Sequence, residues 1–114
     1  MNDNAKAWIA ALRSGKYKQG TGALCDDGRF CCLGVACDLA VKAGVDLSIG
    51  KRGSNTTFDE KFGMLPRKVQ CWLGLASDNG SMIGDTLVSM NDIGSTFSEI
   101  ADLIESEPAG LFAK

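Results

Sequence analysis

The feature of the sequence that most constrains the fold is an apolar, cysteine-rich block at residues 30–38, which reads FCCLGVACD. Its apolar side chains continue at helical spacing through Leu33, Ala36, Cys37 and Ala40. Gly44 follows, where a glycine commonly ends a helix. We therefore predict a short strand that leads into a helix over residues 32–43, with the block buried in the core.

The chain has five cysteines and no histidine. Structural zinc sites use closely spaced ligand pairs, whereas Cys32 and Cys37 would point about 140° apart on a helix. An odd number of cysteines also disfavours a complete set of disulfides. We predict no metal, no cofactor and no catalytic residue set, and interpret the thiols as small core hydrophobes. One alternative stays open, in which Arg29 or a helix N-terminus lowers the pKa of Cys31 or Cys32.

The remaining patterns predict a single α+β domain over residues 1–114, with about four helices and a small antiparallel sheet or hairpin. The predicted helices cover residues 4–14 and 32–43, a third begins at Pro66 and ends at Gly74, and a fourth begins with a Thr96–Glu99 capping box. Asp27-Gly28 predicts a tight hairpin between residues 23–25 and 29–31. Residues 45–63 are expected to form a long loop, and residues 86–90 a short strand. Leu111 and Phe112 are expected to fold back onto the core.

The charge pattern limits the possible partners. Twelve basic and fourteen acidic residues give a net charge of −2, which disfavours duplex nucleic acid. Local basic pairs, such as Lys16 and Lys18, could still hold a small phosphorylated ligand. The chain lacks the roughly 20-residue apolar run of a membrane span and a secretory leader, so we predict a cytoplasmic protein without a membrane partner.

Several polar and aromatic residues are candidates for ligand binding. Lys16, Tyr17 and Gln19 could stack on and anchor a nucleotide, or they could form a solvated turn. Asp38 could contact a ligand, or it could be paired within the protein with Arg29 or Tyr17. Trp72 could stack on a base, although core packing is the ordinary role of a tryptophan on a helical stripe.

Asn91 and Asp92 precede the last helix, at a predicted strand-to-helix turn. Their side chains could order this turn by bonding nearby backbone groups. Alternatively, a turn that faces a helix N-terminus is a natural place for a polar or phosphorylated ligand. Both interpretations remain open on the sequence.

Four segments of the chain resemble a family of small proteins encoded by bacteriophages and prophages. The resemblance extends from Trp8 to Phe112 and is carried by ALRSGKYKQ at 11–19, FCCLGVACD at 30–38, LP at 65–66 with WLG at 72–74, and NDIGSTFSEIA at 91–101. Ala36 departs from the pattern, where a larger aliphatic residue is expected. The family's shared polar positions correspond here to Tyr17, Gln19, Asp38, Asn91 and Asp92.

This resemblance implies an accessory phage protein in the cytoplasm of the bacterial host, with a role in counter-defence. The first hypothesis is a non-enzymatic binding protein that sequesters a nucleotide-derived immune signal. Its expected ligand-binding residues are Lys16, Tyr17, Gln19, Arg29, Asp38, Trp72, Asn91 and Asp92, with the protein present as a homo-oligomer. A second hypothesis is an inhibitor that binds a host defence protein through an apolar patch near Leu111. A third is a histidine-free nucleotide hydrolase that uses Asp38 or Asp92.

Overall fold

The computed structural model describes residues 1–113 of the chain, which contain five helices and six short strands. The helices are α1 (Asp3–Arg13), α2 (Cys32–Lys42), α3 (Arg67–Leu73), α4 (Leu87–Asp92) and α5 (Phe97–Glu105). The strands are β1 (Cys25–Asp26), β2 (Arg29–Phe30), β3 (Ile49–Arg52), β4 (Asn55–Phe58), β5 (Ser81–Met82) and β6 (Asp85–Thr86). The predicted α+β class is confirmed. None of the helices in residues 1–113 is long and apolar enough to cross a membrane.

Residues 1–113 form two antiparallel sheets. The larger has the strand order β2-β1-β4-β3, and the smaller is the β5–β6 hairpin. The β1–β2 turn has both Asp27 and Gly28 at positive φ, at 50° and 79°, as the Asp-Gly signal predicts. The predicted hairpin is therefore confirmed, and it becomes one edge of a four-stranded sheet.

The expectation that residues 45–63 form a long loop is wrong. This segment contains β3 and β4, which pair from Ile49 with Phe58 to Arg52 with Asn55. Gly53 lies in the two-residue turn at a positive φ of 65°. The Gly-Ser turn and the β-branched and aromatic run 56–58 are signals typical of a hairpin. Glycines and charges on the exposed β3 strand obscured them.

The predicted strand over residues 86–90 is also wrong, because only Thr86 of this segment is in a strand. The Thr86 hydroxyl oxygen accepts a hydrogen bond of 3.0 Å from the Ser89 N–H and so caps α4. Asn91 and Asp92 consequently lie on the last turn of a short helix rather than after a strand. A threonine before an apolar run fits either an N-cap or a strand, and tertiary context decides between them.

Helix ends agree closely with the sequence signals. The Thr96 hydroxyl oxygen accepts from the Glu99 N–H at 3.1 Å, and the Glu99 carboxylate accepts from the Thr96 N–H at 2.9 Å. The predicted capping box is therefore confirmed. Helix α3 ends at Gly74, which adopts a left-handed conformation with a φ of 77°. Helix α1 begins at Asp3, one residue earlier than predicted, and is capped by the side chain of Asn2.

Helix α2 lies at the centre of the core, where it contacts α1, α3, α4 and β2. Seven of its eleven residues are buried, so it is apolar around most of its circumference. The indole N–H of Trp8 donates to the Cys32 carbonyl at 2.8 Å and joins α1 to the start of α2. The prediction that the cysteine-rich block is a core element is confirmed.

The C-terminal segment closes the core after α5. Leu111 is completely buried, and its carbonyl accepts a hydrogen bond of 2.9 Å from the Ala76 N–H. Leu75 and Phe112 form an isolated antiparallel bridge beside it. The predicted return of Leu111 and Phe112 to the core is confirmed, and a fully exposed apolar patch at Leu111 is excluded.

Candidate functional site

A groove with a volume of about 550 Å³ lies between the segment after α1, the β1–β2 turn and α2. We call it the lysine groove; it is lined by Lys16, Tyr17, Lys18, Asp27, Gly28, Phe30, Asp38 and Lys42. The segment after α1 is held beside β2 by two backbone hydrogen bonds. The Phe30 N–H donates to the Lys18 carbonyl at 2.8 Å, and the Gly20 N–H donates to the Phe30 carbonyl at 2.7 Å. These bonds fix the backbone of one groove wall.

Tyr17, Asp38 and Lys42 form a hydrogen-bonded cluster in this groove. The Tyr17 hydroxyl donates to Asp38 Oδ2, and Lys42 Nζ lies 2.9 Å from the same oxygen. Lys42 Nζ also lies 3.4 Å from the Tyr17 hydroxyl and 5.5 Å from the centre of its ring. Tyr17 was expected as a partner of Asp38. Lys42 was missed, although its i+4 position on the same helix is the usual spacing of an ion pair.

The cluster keeps both of its hydrogen donors protonated at neutral pH. Burial, followed by the hydrogen bond to Asp38, raises the pKa of Tyr17 above its ordinary value. The hydrogen bond to Asp38, followed by that to Tyr17, raises the pKa of Lys42. Tyr17 is therefore a neutral hydrogen donor and Lys42 a cation, and Asp38 Oδ2 is occupied by both.

An aromatic pair forms the apolar part of the groove. The rings of Tyr17 and Phe30 meet edge to face, with centroids 5.2 Å apart and planes at 85°. This arrangement is favourable for the two ring quadrupoles and limits the rotation of Tyr17. The groove thus combines a fixed aromatic surface with ammonium groups.

Gln19 and Asn91 lie outside the lysine groove and connect distant parts of the chain. Gln19 Nε2 donates to Asn91 Oδ1 at 2.9 Å and to the Ser95 carbonyl at 2.7 Å. Gln19 Oε1 accepts from the Phe97 N–H at 3.1 Å, so all the polar groups of this amide are engaged. We call this pair the amide clip.

Asn91 is completely buried and is engaged as fully as Gln19. Its Oδ1 also accepts from the Cys32 N–H at 3.1 Å, and its Nδ2 donates to the Gly20 carbonyl at 2.8 Å. The amide clip therefore joins the segment after α1 to α2, α4 and α5. Of the two roles that the sequence allows for Asn91, structural and ligand-binding, this geometry fits the structural one.

The remaining candidates are dispersed. Asp92 Oδ1 accepts a hydrogen bond of 3.0 Å from the Gly22 N–H. Arg29 lines a separate groove of about 320 Å³, together with Gln19, and does not pair with Asp38. Trp72 is half-buried against the core, and its carbonyl accepts from Asn2 and Asn4. Trp72 lines neither of these two grooves. It therefore shares no groove with Tyr17 in which one base could stack on both rings.

Four of the five cysteines are buried, and Cys71 is exposed. Burial raises the pKa of Cys31 to about 11 and also raises the pKa of Cys32 and Cys37. These shifts oppose the formation of a reactive thiolate at Cys31 or Cys32. Among residues 1–113, no three potential ligands from histidine, cysteine, aspartate and glutamate are grouped to hold a metal ion.

The burial of the thiols predicts the pattern of chemical modification. At pH 8, a disulfide reagent such as DTNB is expected to react rapidly with about one thiol per folded chain and with all five after denaturation. Cys71→Ser should remove the rapid phase and leave the slow phase unchanged. Rapid reaction of a second thiol in the folded protein would contradict the burial of the other four cysteines.

The fold and the groove together define a small α+β protein with a cationic, aromatic-lined surface site. A family model described as a domain of unknown function, DUF8296, matches residues 1–108, and the chain belongs to this family. No curated protein and no solved structure matches the chain at a significant level.

Proposed function

We propose that the protein is a non-enzymatic binding protein that holds a small nucleotide-derived ligand in the lysine groove. As an accessory phage protein in the host cytoplasm, it would sequester an immune signal and keep it from a host effector. The observation that carries this proposal is the combination of a fixed aromatic pair and three lysines around one groove of about 550 Å³. Volumes of this size are typical of small-molecule sites.

The charges in the groove favour a phosphorylated ligand. Lys42 is already paired with Asp38. Within residues 1–113, Lys16 and Lys18 have no carboxylate within 4.0 Å. Their ammonium groups are therefore available to bind a phosphate. Apart from Asp38, the groove contains one carboxylate, that of Asp27, so its net charge remains positive.

The geometry supports binding more than catalysis. Asp38 Oδ2 is held by Tyr17 and Lys42, and Asp92 Oδ1 accepts from the Gly22 N–H. Asp92 does not line the lysine groove, so only Asp38 of the two alternative carboxylates proposed for a hydrolase faces this site. The chain also has no histidine to serve as the general base at neutral pH.

Inhibition of a host defence protein is a second candidate function. Ile83 and Ile93 support it, because 80% and 75% of their surface is exposed. A contiguous patch that included such side chains would form a contact surface, either with a partner protein or between copies in a homo-oligomer. A pull-down from host lysate with Ile83→Ser/Ile93→Ser as the control tests it, and an equal yield of a bound protein from both would contradict it.

Isothermal titration calorimetry against cyclic nucleotides and cyclic ADP-ribose isomers tests the leading proposal. We expect micromolar or tighter binding of at least one compound. Lys16→Gln/Lys18→Gln should weaken it about tenfold or more, because two ammonium–phosphate contacts are lost.

The matched control is Lys6→Gln/Lys61→Gln, which removes the same charge from residues outside the lysine groove. It should change the affinity by less than about threefold, which is below 1 kcal/mol. Absence of binding across the panel at micromolar concentration would overturn the proposed function. An equal loss in both double variants would show that net charge, rather than the groove, determines affinity.

A further inference from the structure

A second depression adjoins the lysine groove. We call it the apolar cleft; it has a volume of about 210 Å³ and is lined by Cys25, Phe30, Asp38, Val41, Ile49, Thr56 and Phe58. Phe30 and Asp38 line both depressions. The two depressions therefore meet at these two side chains.

The walls of the apolar cleft come from elements that meet only in the folded protein. Helix α2 contributes Asp38 and Val41, and the sheet contributes the remaining side chains. Ile49 and Val41 are 54% and 37% exposed, although large aliphatic side chains are usually buried. An occupant of the cleft would remove apolar surface of both from water, and this favours binding.

Asp38 supplies a hydrogen-bond acceptor where the two depressions join. Its Oδ2 is engaged by Tyr17 and Lys42, whereas its Oδ1 accepts no hydrogen bond from any of residues 1–113. The side chain of Asp38 is 27% exposed, so a ligand can reach it. Tyr17 and Lys42 hold the carboxylate in one orientation, which makes Oδ1 a preorganised acceptor for an N–H group.

We propose that the apolar cleft and the lysine groove form one two-part site for a nucleotide whose base carries an exocyclic amino group. The base lies in the apolar cleft and donates its amino hydrogen to Asp38 Oδ1, while its phosphate contacts Lys16 and Lys18. This inference rests on the proposed function and adds to it the class of base and the residue that selects it.

The carboxylate argues for a base rather than an alkyl chain as the occupant. An alkyl chain in the apolar cleft would cover Asp38 without giving its Oδ1 a donor, and a buried acceptor without a partner is costly. A flat heteroaromatic ring fills an apolar cleft equally well and supplies the donor from its edge. The adjoining lysines provide the complementary charge for the phosphate of the same molecule.

The experiment compares two pairs that differ only in the amino group, AMP with purine riboside 5′-monophosphate and GMP with IMP, by isothermal titration calorimetry. Ribose 5-phosphate is the probe that lacks a base. In the pair that binds more tightly, the amino nucleotide is expected to bind at least about tenfold more tightly than its partner. Asp38→Asn should reduce this preference to below about threefold. It should leave the affinity for ribose 5-phosphate unchanged or increase it, because Lys42 loses its carboxylate partner.

Ile49→Thr provides a second variant whose side chain keeps the β-branched shape suited to strand β3. It is expected to weaken the amino nucleotide about three- to tenfold and to leave ribose 5-phosphate unaffected. Ile83→Thr is the matched control, because Ile83 is more exposed but does not line the apolar cleft. Thermal unfolding of each variant verifies that it is folded.

Failure of this inference can be distinguished from failure of the proposed function. Equal binding within both pairs, or a preference that persists in Asp38→Asn, would overturn the inference. The proposed function would stand if Lys16→Gln/Lys18→Gln still weakened all of the ligands. Absence of binding by AMP and GMP alone would overturn the inference, whereas absence of binding by these nucleotides and by every compound of the cyclic panel would overturn both.

Discussion

Gly34→Ala is expected to destabilise the protein by about 3 kcal/mol or more, a large fraction of the stability of a small domain. A Cβ atom on Gly34 would lie 1.7 Å from the Leu24 carbonyl oxygen and 2.6 Å from its carbon. Both contacts are with backbone, so a side-chain rotation cannot relieve them. Helix α2 would have to move away from the backbone segment that precedes β1.

The sign of this prediction is opposite to that of helix propensity. Alanine stabilises the interior of an exposed helix by about 1 kcal/mol relative to glycine. Urea denaturation followed by circular dichroism measures the net change. Gly63→Ala is the matched control, because a Cβ there meets no atom within 4 Å and φ is not in the left-handed region; it should change stability by less than about 0.5 kcal/mol. Equal stability of both variants would refute the close contact of Gly34 with Leu24.

Loss of the amide clip is the second large effect that we expect. Asn91→Ala should reduce the free energy of unfolding by about 2–4 kcal/mol. The Cys32 N–H and the Gly20 carbonyl lose the partner that the Asn91 side chain provides, and Gln19 loses one of its two acceptors. Burial of unpaired backbone groups is the main source of this cost.

A double-mutant cycle with Gln19→Ala measures the coupling within the clip. The two side chains share a hydrogen bond, so the combined loss should be smaller than the sum of the single losses by at least about 0.5 kcal/mol. Asn79→Ala is the control, because Asn79 is only partly buried and accepts one hydrogen bond, from Ser77; its cost should be below about 1 kcal/mol. A stability loss of that small size in Asn91→Ala would contradict the role of the clip.

The sequence identified those features that depend on neighbouring residues. The capping box joins Thr96 to Glu99, and the β1–β2 turn requires positive φ at Asp27 and Gly28. Helical spacing likewise located α1, α2 and α3. These signals can be read because the interacting groups lie within about four positions of each other, and the backbone geometry is then nearly the same in every protein.

The sequence was insufficient where a segment's state depends on what it packs against. Strand β4 is identified by its pairing with both β1 and β3. Helix α4 is identified by its Thr86 cap, but a threonine at this position fits a strand equally well. The candidate residues were similarly recognised as polar and aromatic but were assigned to one cavity. In the fold, Tyr17 and Asp38 line the lysine groove, whereas Gln19 and Asn91 form the amide clip.

The cysteine-rich block shows both sides of this division. Its apolar periodicity was enough to predict a buried helix, because burial of a continuous apolar surface is favourable in any compact fold. Other contacts arise only when distant segments pack. These are the close approach of Gly34 to Leu24, the hydrogen bond between Gln19 and Asn91 across 72 residues, and the pairing of Asp38 with Tyr17. Sequence spacing does not determine the distances between such segments. Those distances decide which residues support the fold and which line the groove.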